Sequence, residues 1–286
     1  MLPCLSSVTT LPGTLADDIA ACGDAGCQYL EIWLTKLETY LQGNGAWAKP
    51  DAVKALMKER DIRFVSAAYQ GGLLLSQGEA RRVSFDQFQR RLSLCQEFGI
   101  GTMLIMPDPV EKLDGDDIQR VQNALAQAAE LASAFEVRLA LEFRSNTRWC
   151  ASIPTAAALV ASVGSPHLGI CLDLFHYYTG PSKLEDLGYL NPGNLFAVQL
   201  CDLSGVAREL AGDSDRILPG EGDFQLAPII QYLKQIDYQG YVSVEVMNPE
   251  IWKMKPTQVS EAAYTCLRMQ LGQAGMPNPL TELTSL

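Results

Sequence analysis

Histidine is nearly missing from this chain, with two in 286 residues. A multinuclear metal centre rich in histidine therefore lacks its ligands. Positive charge is also scarce: 22 Lys and Arg stand against 33 Asp and Glu, giving a net charge of −11. A broad nucleic-acid footprint needs a basic face, and an anionic membrane surface would be disfavoured too. No apolar run approaches the roughly 18 residues of a membrane span. Met1 to Asp17 lacks the basic start and continuous apolar core of a signal peptide. The eight cysteines form no CxxC pair and mostly sit inside apolar patterns, so the expectation is reduced thiols in a cytoplasm rather than a disulfide framework. Low-complexity segments and dividing linkers are missing as well. One domain over residues 1–286 is expected.

What the chain does have is 48% apolar and 19% charged residues, enough for a large core. Its organisation is a strand followed by a helix, repeated eight times. The strands read as CLSSVTT, QYLEIWL, IRFVSAAY, TMLIMP, RLALEF, LGICLDLFH, LFAVQLCD and YVSVEVM. Between them lie helical patterns such as LADDIAACGDAG, PDAVKALMKERD, Phe85 to Phe98 and DDIQRVQNALAQAAELASAF, with shorter ones from Ile153, in PSKLEDLGYL and in LAPIIQYLKQI. TQVSEAAYTCLRMQL closes the series as an amphipathic helix. Alternating strands and helices imply parallel pairing with right-handed crossovers. Eight units favour an α/β fold of one closed (β/α)8 TIM barrel. An open doubly wound sheet would gather ligands at one switch point, whereas polar strand ends recur here on strands two, five, six, seven and eight.

The chain is organised around Leu168 to His176, LGICLDLFH. An almost wholly buried strand delivers a carboxylate, Asp173, at its end. Such a group is costly unless something cationic pairs with it. Three other strands end alike: RLALEF supplies Glu142, LFAVQLCD supplies Gln199 and Asp202, and GYVSVEVM supplies Glu245. Oxygen donors at the same end of parallel strands converge, and a divalent cation is the natural occupant. Three carboxylates and one amide oxygen form a hard set that favours Mg²⁺ or Mn²⁺ over Zn²⁺. The blander readings are a Glu142–Arg144 ion pair and a Gln199 amide bonded to nearby backbone.

These residues carry a resemblance. LEIW at Leu30 to Trp33, ALEF at Ala140 to Phe143, DLFH at Asp173 to His176, and PGEGDF at Pro219 to Phe224 followed by GYVSVEV are similar to the xylose-isomerase-like TIM-barrel superfamily. More narrowly they resemble its sugar phosphate isomerase/epimerase branch, with its ketose 3-epimerases, inosose dehydratases and 3-dehydroshikimate dehydratases. The resemblance implies metal ligands at Glu142, Asp173, Gln199 and Glu245, and a substrate-contacting His176. Much of the family carries His on strand seven, so Gln199 is a departure, one expected among dehydratases of dehydroshikimate.

The expected activity is that of a metal-dependent isomerase or epimerase of a small sugar or polyol carbonyl compound. A metal chelating a carbonyl and an adjacent hydroxyl would stabilise the enediolate left by loss of the α-proton. Glu142 and Glu245 would serve the two faces of the substrate as acid and base. In the alternative, a dehydratase, His176 would protonate a departing β-hydroxyl. A non-catalytic sugar-binding barrel is the third reading. Glu31, Trp33 and Tyr69 are expected along the pocket wall, Arg208 and Arg216 as anion contacts from the loop after strand seven, and Trp252 as a lid or subunit contact. His167 is expected to be structural, and by resemblance a homodimer is expected.

Overall fold

The computed structural model describes residues 1–110 and 112–274. Its strands are β1 (Leu2–Ser6), β2 (Tyr29–Trp33), β3 (Arg63–Gln70), β4 (Thr102–Ile105), β5 (Arg138–Glu142), β6 (Leu168–Asp173), β7 (Leu195–Leu200) and β8 (Tyr241–Val244). They follow one another in sequence order as a closed parallel barrel, so the expected (β/α)8 architecture is the one observed. The helices are α1 (Leu15–Asp24), α2 (Leu34–Leu41), α3 (Pro50–Glu59), α4 (Gly78–Phe98), α5 (Asp117–Ser133), α6 (Ile153–Val163), α7 (Leu174–Thr179), α8 (Leu226–Gln235) and α9 (Pro256–Gln270).

Local chemistry accounts for the helix boundaries. Thr14 caps α1 in a capping box with Asp17, satisfying two orphan backbone donors at once. Ser152 caps α6, Pro154 sits in its first turn, and Gly164 ends it at φ 65°, a conformation that costs glycine little. Two expectations are corrected. PSKLEDLGYL forms only a short 3-10 helix, Leu184–Tyr189, which carries Gly188, a poor helix former, inside it. LGICLDLFH is not strand throughout, because β6 stops at Asp173 and α7 begins at once. Asp173 Oδ1 accepts from Phe175 N at 2.7 Å, so the carboxylate that ends the strand also caps the helix.

Contacts divide the chain into two compact units. One comprises Val65–Gln199 and Gln235–Gly240. Within it β3 to β7 pair in parallel, with Ala140 opposite Gly169, Glu142 opposite Cys171, and Asp173 opposite Gln199. Side chains alternate faces along a strand, so Ala140, Glu142, Cys171, Asp173, Ala197 and Gln199 share one face. Ala68, Leu104, Ala140, Cys171, Phe196 and Ala197 form a buried cluster with Tyr69 packed against it. Gly169 is required there, since a Cβ would lie 2.6 Å from the Phe196 ring.

The other unit comprises Met1–Phe64, Leu200–Lys234 and the chain from Tyr241. Here β1 pairs with β2 and β8, placing Ser6 opposite Glu31 and Cys4 opposite Ser243. The loop after β1 is held from inside. Lys36 Nζ donates to Asp18 Oδ2 at 2.6 Å, Thr10 O at 3.0 Å and Ser7 O at 3.3 Å, while Thr10 Oγ1 donates to Asp18 Oδ1 at 2.7 Å. All three ammonium hydrogens are thereby used. Thr9 adds a bridge to the last strand, donating to Val244 O and accepting from Val246 N, each at 3.0 Å.

Candidate active site

The first unit brings together the ends of β5 and β6. Glu142, Asp173 and His176 are each buried, and one ligand atom of each lies within 4.8 Å of the others. Glu142 Oε1 receives Arg144 Nη1 at 3.2 Å and lies 3.3 Å from His176 Nε2. Its other oxygen, Oε2, is buried with no hydrogen-bond partner among the described residues. Asp173 Oδ2 is 3.9 Å from His176 Nε2. Gln199, fully buried beside Asp173, accepts a weak bond from Cys171 Sγ at 3.4 Å.

Two buried carboxylates this close repel each other unless a cation or hydrogen-bond donors offset them. Arg144 and His176 meet Glu142 through Oε1 alone, so Oε2 is an acceptor in want of a charge. An oxygen-rich cluster with an unused carboxylate oxygen fits a divalent cation. The Glu142–Arg144 pair foreseen as the bland alternative is also real, and it occupies a different oxygen from the one left over. His176 is the third residue of α7 rather than the end of a strand. Its Nδ1 lies 3.1 Å from Ser145 Oγ.

The second unit arranges Glu31, Arg216, Ser243 and Glu245. Arg216, fully buried, donates from Nη1 to Glu245 Oε2 at 3.1 Å and from Nη2 to Asp213 Oδ1 at 2.7 Å. Ser243 Oγ donates to Glu31 Oε1 at 3.2 Å. Burial pushes the Glu245 carboxyl well above the usual carboxylate range, and the charge of Glu31 adds to it. Glu245 follows β8 directly and donates its backbone N–H to Leu200 O at 3.0 Å.

The remaining expected residues divide. Trp33 lines a cavity of about 430 Å³ with Leu11, Lys36, Tyr40 and Trp47. Trp252 lines another of about 250 Å³ with Thr9, Thr10 and Val259, its Nε1 bonded to Val8 O at 3.0 Å. Tyr69 packs on the cluster of small side chains, and its carbonyl accepts from Arg91 at 2.6 Å. Arg208 lies in a run, residues 204–210, that is exposed throughout. His167 stands just before β6 and is half-buried.

Sequence reasoning missed the residues that shape the loops. Asp202 was read only as a strand-end acceptor, yet its Oδ1 accepts from Leu203 N and Phe224 N and its Oδ2 from Gly220 N, all at 2.9 Å. A Cβ on Gly222 would lie 2.4 Å from Asp202 Oδ1. Asp108 plays the same part after β3, taking Gly72 N, Leu74 N, Leu75 N and Ser76 N at 2.6–3.3 Å. Ser145 and Thr179, bonded to each other at 2.7 Å, were not singled out either.

A family model described as xylose isomerase-like TIM barrel matches residues 19–269. An inosose isomerase of Halalkalibacterium halodurans is 25% identical over 265 residues, covering 91% of this chain and 93% of that protein. A 3-dehydroshikimate dehydratase of Pseudomonas putida is 24% identical over 262 residues, covering 90% of this chain and 39% of the relative. Among solved structures, the IOLI protein with a bound zinc atom superposes with a TM-score of 0.88 at 21% identity, over 97% of this chain and 100% of that one. Among the described residues no helix is long and apolar enough to cross a membrane.

Proposed function

Given that the chain belongs to the xylose isomerase-like TIM-barrel family, we propose that it is a metal-dependent isomerase or epimerase of a small sugar or cyclic polyol carbonyl compound. The observation that carries this reading is the buried cluster of Glu142, Asp173 and His176 with an unused carboxylate oxygen. Glu142, Asp173 and Gln199 are the proposed ligands from the first unit. Glu245 enters as fourth ligand and second acid–base group on the sequence pattern alone. A bound divalent ion would polarise a substrate carbonyl and make its neighbouring C–H more acidic. Oxygen donors favour Mg²⁺ or Mn²⁺, while the similar protein with bound zinc supports a divalent ion without choosing it.

The chain's own groups supply the rest. A carboxylate oxygen at the cluster takes the α-proton, and His176 Nε2, directed toward Glu142, hydrogen-bonds a substrate oxygen. Arg216 orients Glu245 and binds an oxygen of the substrate. Glu31, Trp33, Tyr69, Arg208 and Trp252 are proposed to contact the substrate.

A dehydratase is the second reading, favoured by an amide, Gln199, at the end of β7 and by the similarity to the Pseudomonas putida dehydratase. Removal of the same proton would then expel a β-hydroxyl, with His176 as the acid. Proton NMR in D₂O with Mg²⁺ and parallel offers of ketohexoses, inosose and 3-dehydroshikimate separates the two. Deuterium entering beside a carbonyl without loss of water supports the isomerase or epimerase. An unsaturated or aromatic product supports the dehydratase. Binding without either signal would leave a non-catalytic sugar-binding barrel.

A further inference from the structure

Thr179 has one hydroxyl hydrogen, yet its Oγ1 lies 2.7 Å from two oxygens, the Phe175 carbonyl and Ser145 Oγ. Oxygens that close need a hydrogen between them. The carbonyl can only accept, so Thr179 donates to it, the back-bond to residue i−4 that helical Thr makes. The hydrogen between Thr179 and Ser145 must then come from Ser145. That leaves Ser145 with nothing to donate to its other neighbour, His176 Nδ1 at 3.1 Å. Nδ1 has to bring its own hydrogen. The relay therefore has one sense: His176 Nδ1–H to Ser145, Ser145 to Thr179, Thr179 to the carbonyl of Phe175.

We propose that Ser145 and Thr179 are positioning residues that lock His176 with its hydrogen on Nδ1, so that Nε2 is the nitrogen presented to Glu142 Oε1 and Asp173 Oδ2. Which imidazole nitrogen works is set by the bond the other one makes. The assignment does not depend on ring charge, because Nδ1 carries a hydrogen in both the neutral form and the cation. The surroundings are built to hold the relay. His176 is 1% exposed, and the Phe175 ring meets it edge-on with centroids 5.4 Å apart. Gly180 closes α7 where a Cβ would lie 2.5 Å from the His176 carbonyl, 2.8 Å from that of Ala151 and 3.3 Å from Ser145 Cβ. Only a residue without a side chain lets the end of α7 come so near the loop that carries Ser145. The catalytic consequence, a correctly aimed Nε2, rests on the reaction proposed above; the lock itself does not.

The test uses the full chain labelled with ¹⁵N in its histidine rings. With only two histidines, H167Q assigns the spectrum. Wild type should show a one-bond ¹H–¹⁵N correlation at His176 Nδ1. S145A should lose it, T179V should lose or broaden it through faster exchange, and T179S, which keeps the hydroxyl, should retain it. In turnover, S145A and T179V should lower kcat about 10-fold, as orienting partners of functional histidines do, with KM little changed and T179S close to wild type. A wild-type ring bearing hydrogen on Nε2 alone, or an Nδ1 signal untouched in both S145A and T179V, would overturn the lock. A signal that behaves as expected in a protein that turns over none of the offered substrates would uphold the lock and sink the reaction.

Discussion

Asp202→Ala removes the fastening of the loop after β7. Three backbone N–H groups, those of Leu203, Gly220 and Phe224, converge on this one fully buried carboxylate. A hydrogen bond to a charged group contributes about 1.5–3 kcal/mol, so the gross loss is about 5–9 kcal/mol. Part of it is recovered from water, since Gly220 is exposed and Phe224 half-buried. Leu203 is 3% exposed, and its N–H bears the full desolvation penalty. The expected net destabilisation is about 3–5 kcal/mol. At about 2 °C per kcal/mol for a chain of this size, Tm should fall about 6–10 °C. Arg216 lies inside the freed stretch, so its grip on Glu245 should slacken and activity should fall further than stability alone explains. Circular dichroism melts give the first quantity and limited proteolysis reports whether cleavage appears within residues 204–224. A variant with wild-type Tm and wild-type protease resistance would show that the three bonds contribute nothing, and the accounting would be wrong.

Three further outcomes are expected. Mg²⁺ at about 100 times its dissociation constant should stabilise the protein by about 2.7 kcal/mol, reversed by a chelator; E142Q, which removes a proposed ligand, should show little such gain in the same melts. Burial pushes the Asp18 carboxyl up to about 7 although Lys36 opposes the shift. A raised folded value means stability is fully present below the unfolded value of about 3.9 and is lost as pH rises toward 7, by up to about 1.4 kcal/mol per pH unit. D18N should flatten that slope in denaturant titrations between those limits. G180A should cost about 1–3 kcal/mol by urea unfolding, because its Cβ would meet two carbonyl oxygens at 2.5 and 2.8 Å.

The strand ends were legible because burial on both faces leaves a simple mark: an apolar run interrupted by one polar residue. Glu142, Asp173 and Gln199 stand out in that way and do share one face. The helices that follow a strand without a turn were not legible. α2 and α7 start at Leu34 and Leu174, one residue after β2 and β6 end, and no glycine or proline marks the change. His176 was therefore given to a strand. Asp108 and Asp202 escaped because gathering backbone N–H groups from residues 18 to 36 positions away leaves no local pattern. Ser145 and Thr179 escaped because a hydroxyl in a loop and another in a helix are ordinary until they are seen 2.7 Å apart.

The loop after β7 also separates two tasks that most loops mix. Its shape is fixed at Asp202 by backbone groups at its two ends, while residues 204–210 between them are exposed without interruption. Backbone N–H groups are common to every residue but proline, so the clasp is indifferent to the side chains it encloses. Arg208 and its neighbours are then free to drift in identity without loosening the ends, and a randomised library confined to residues 204–210 should leave the melting temperature close to that of the parent.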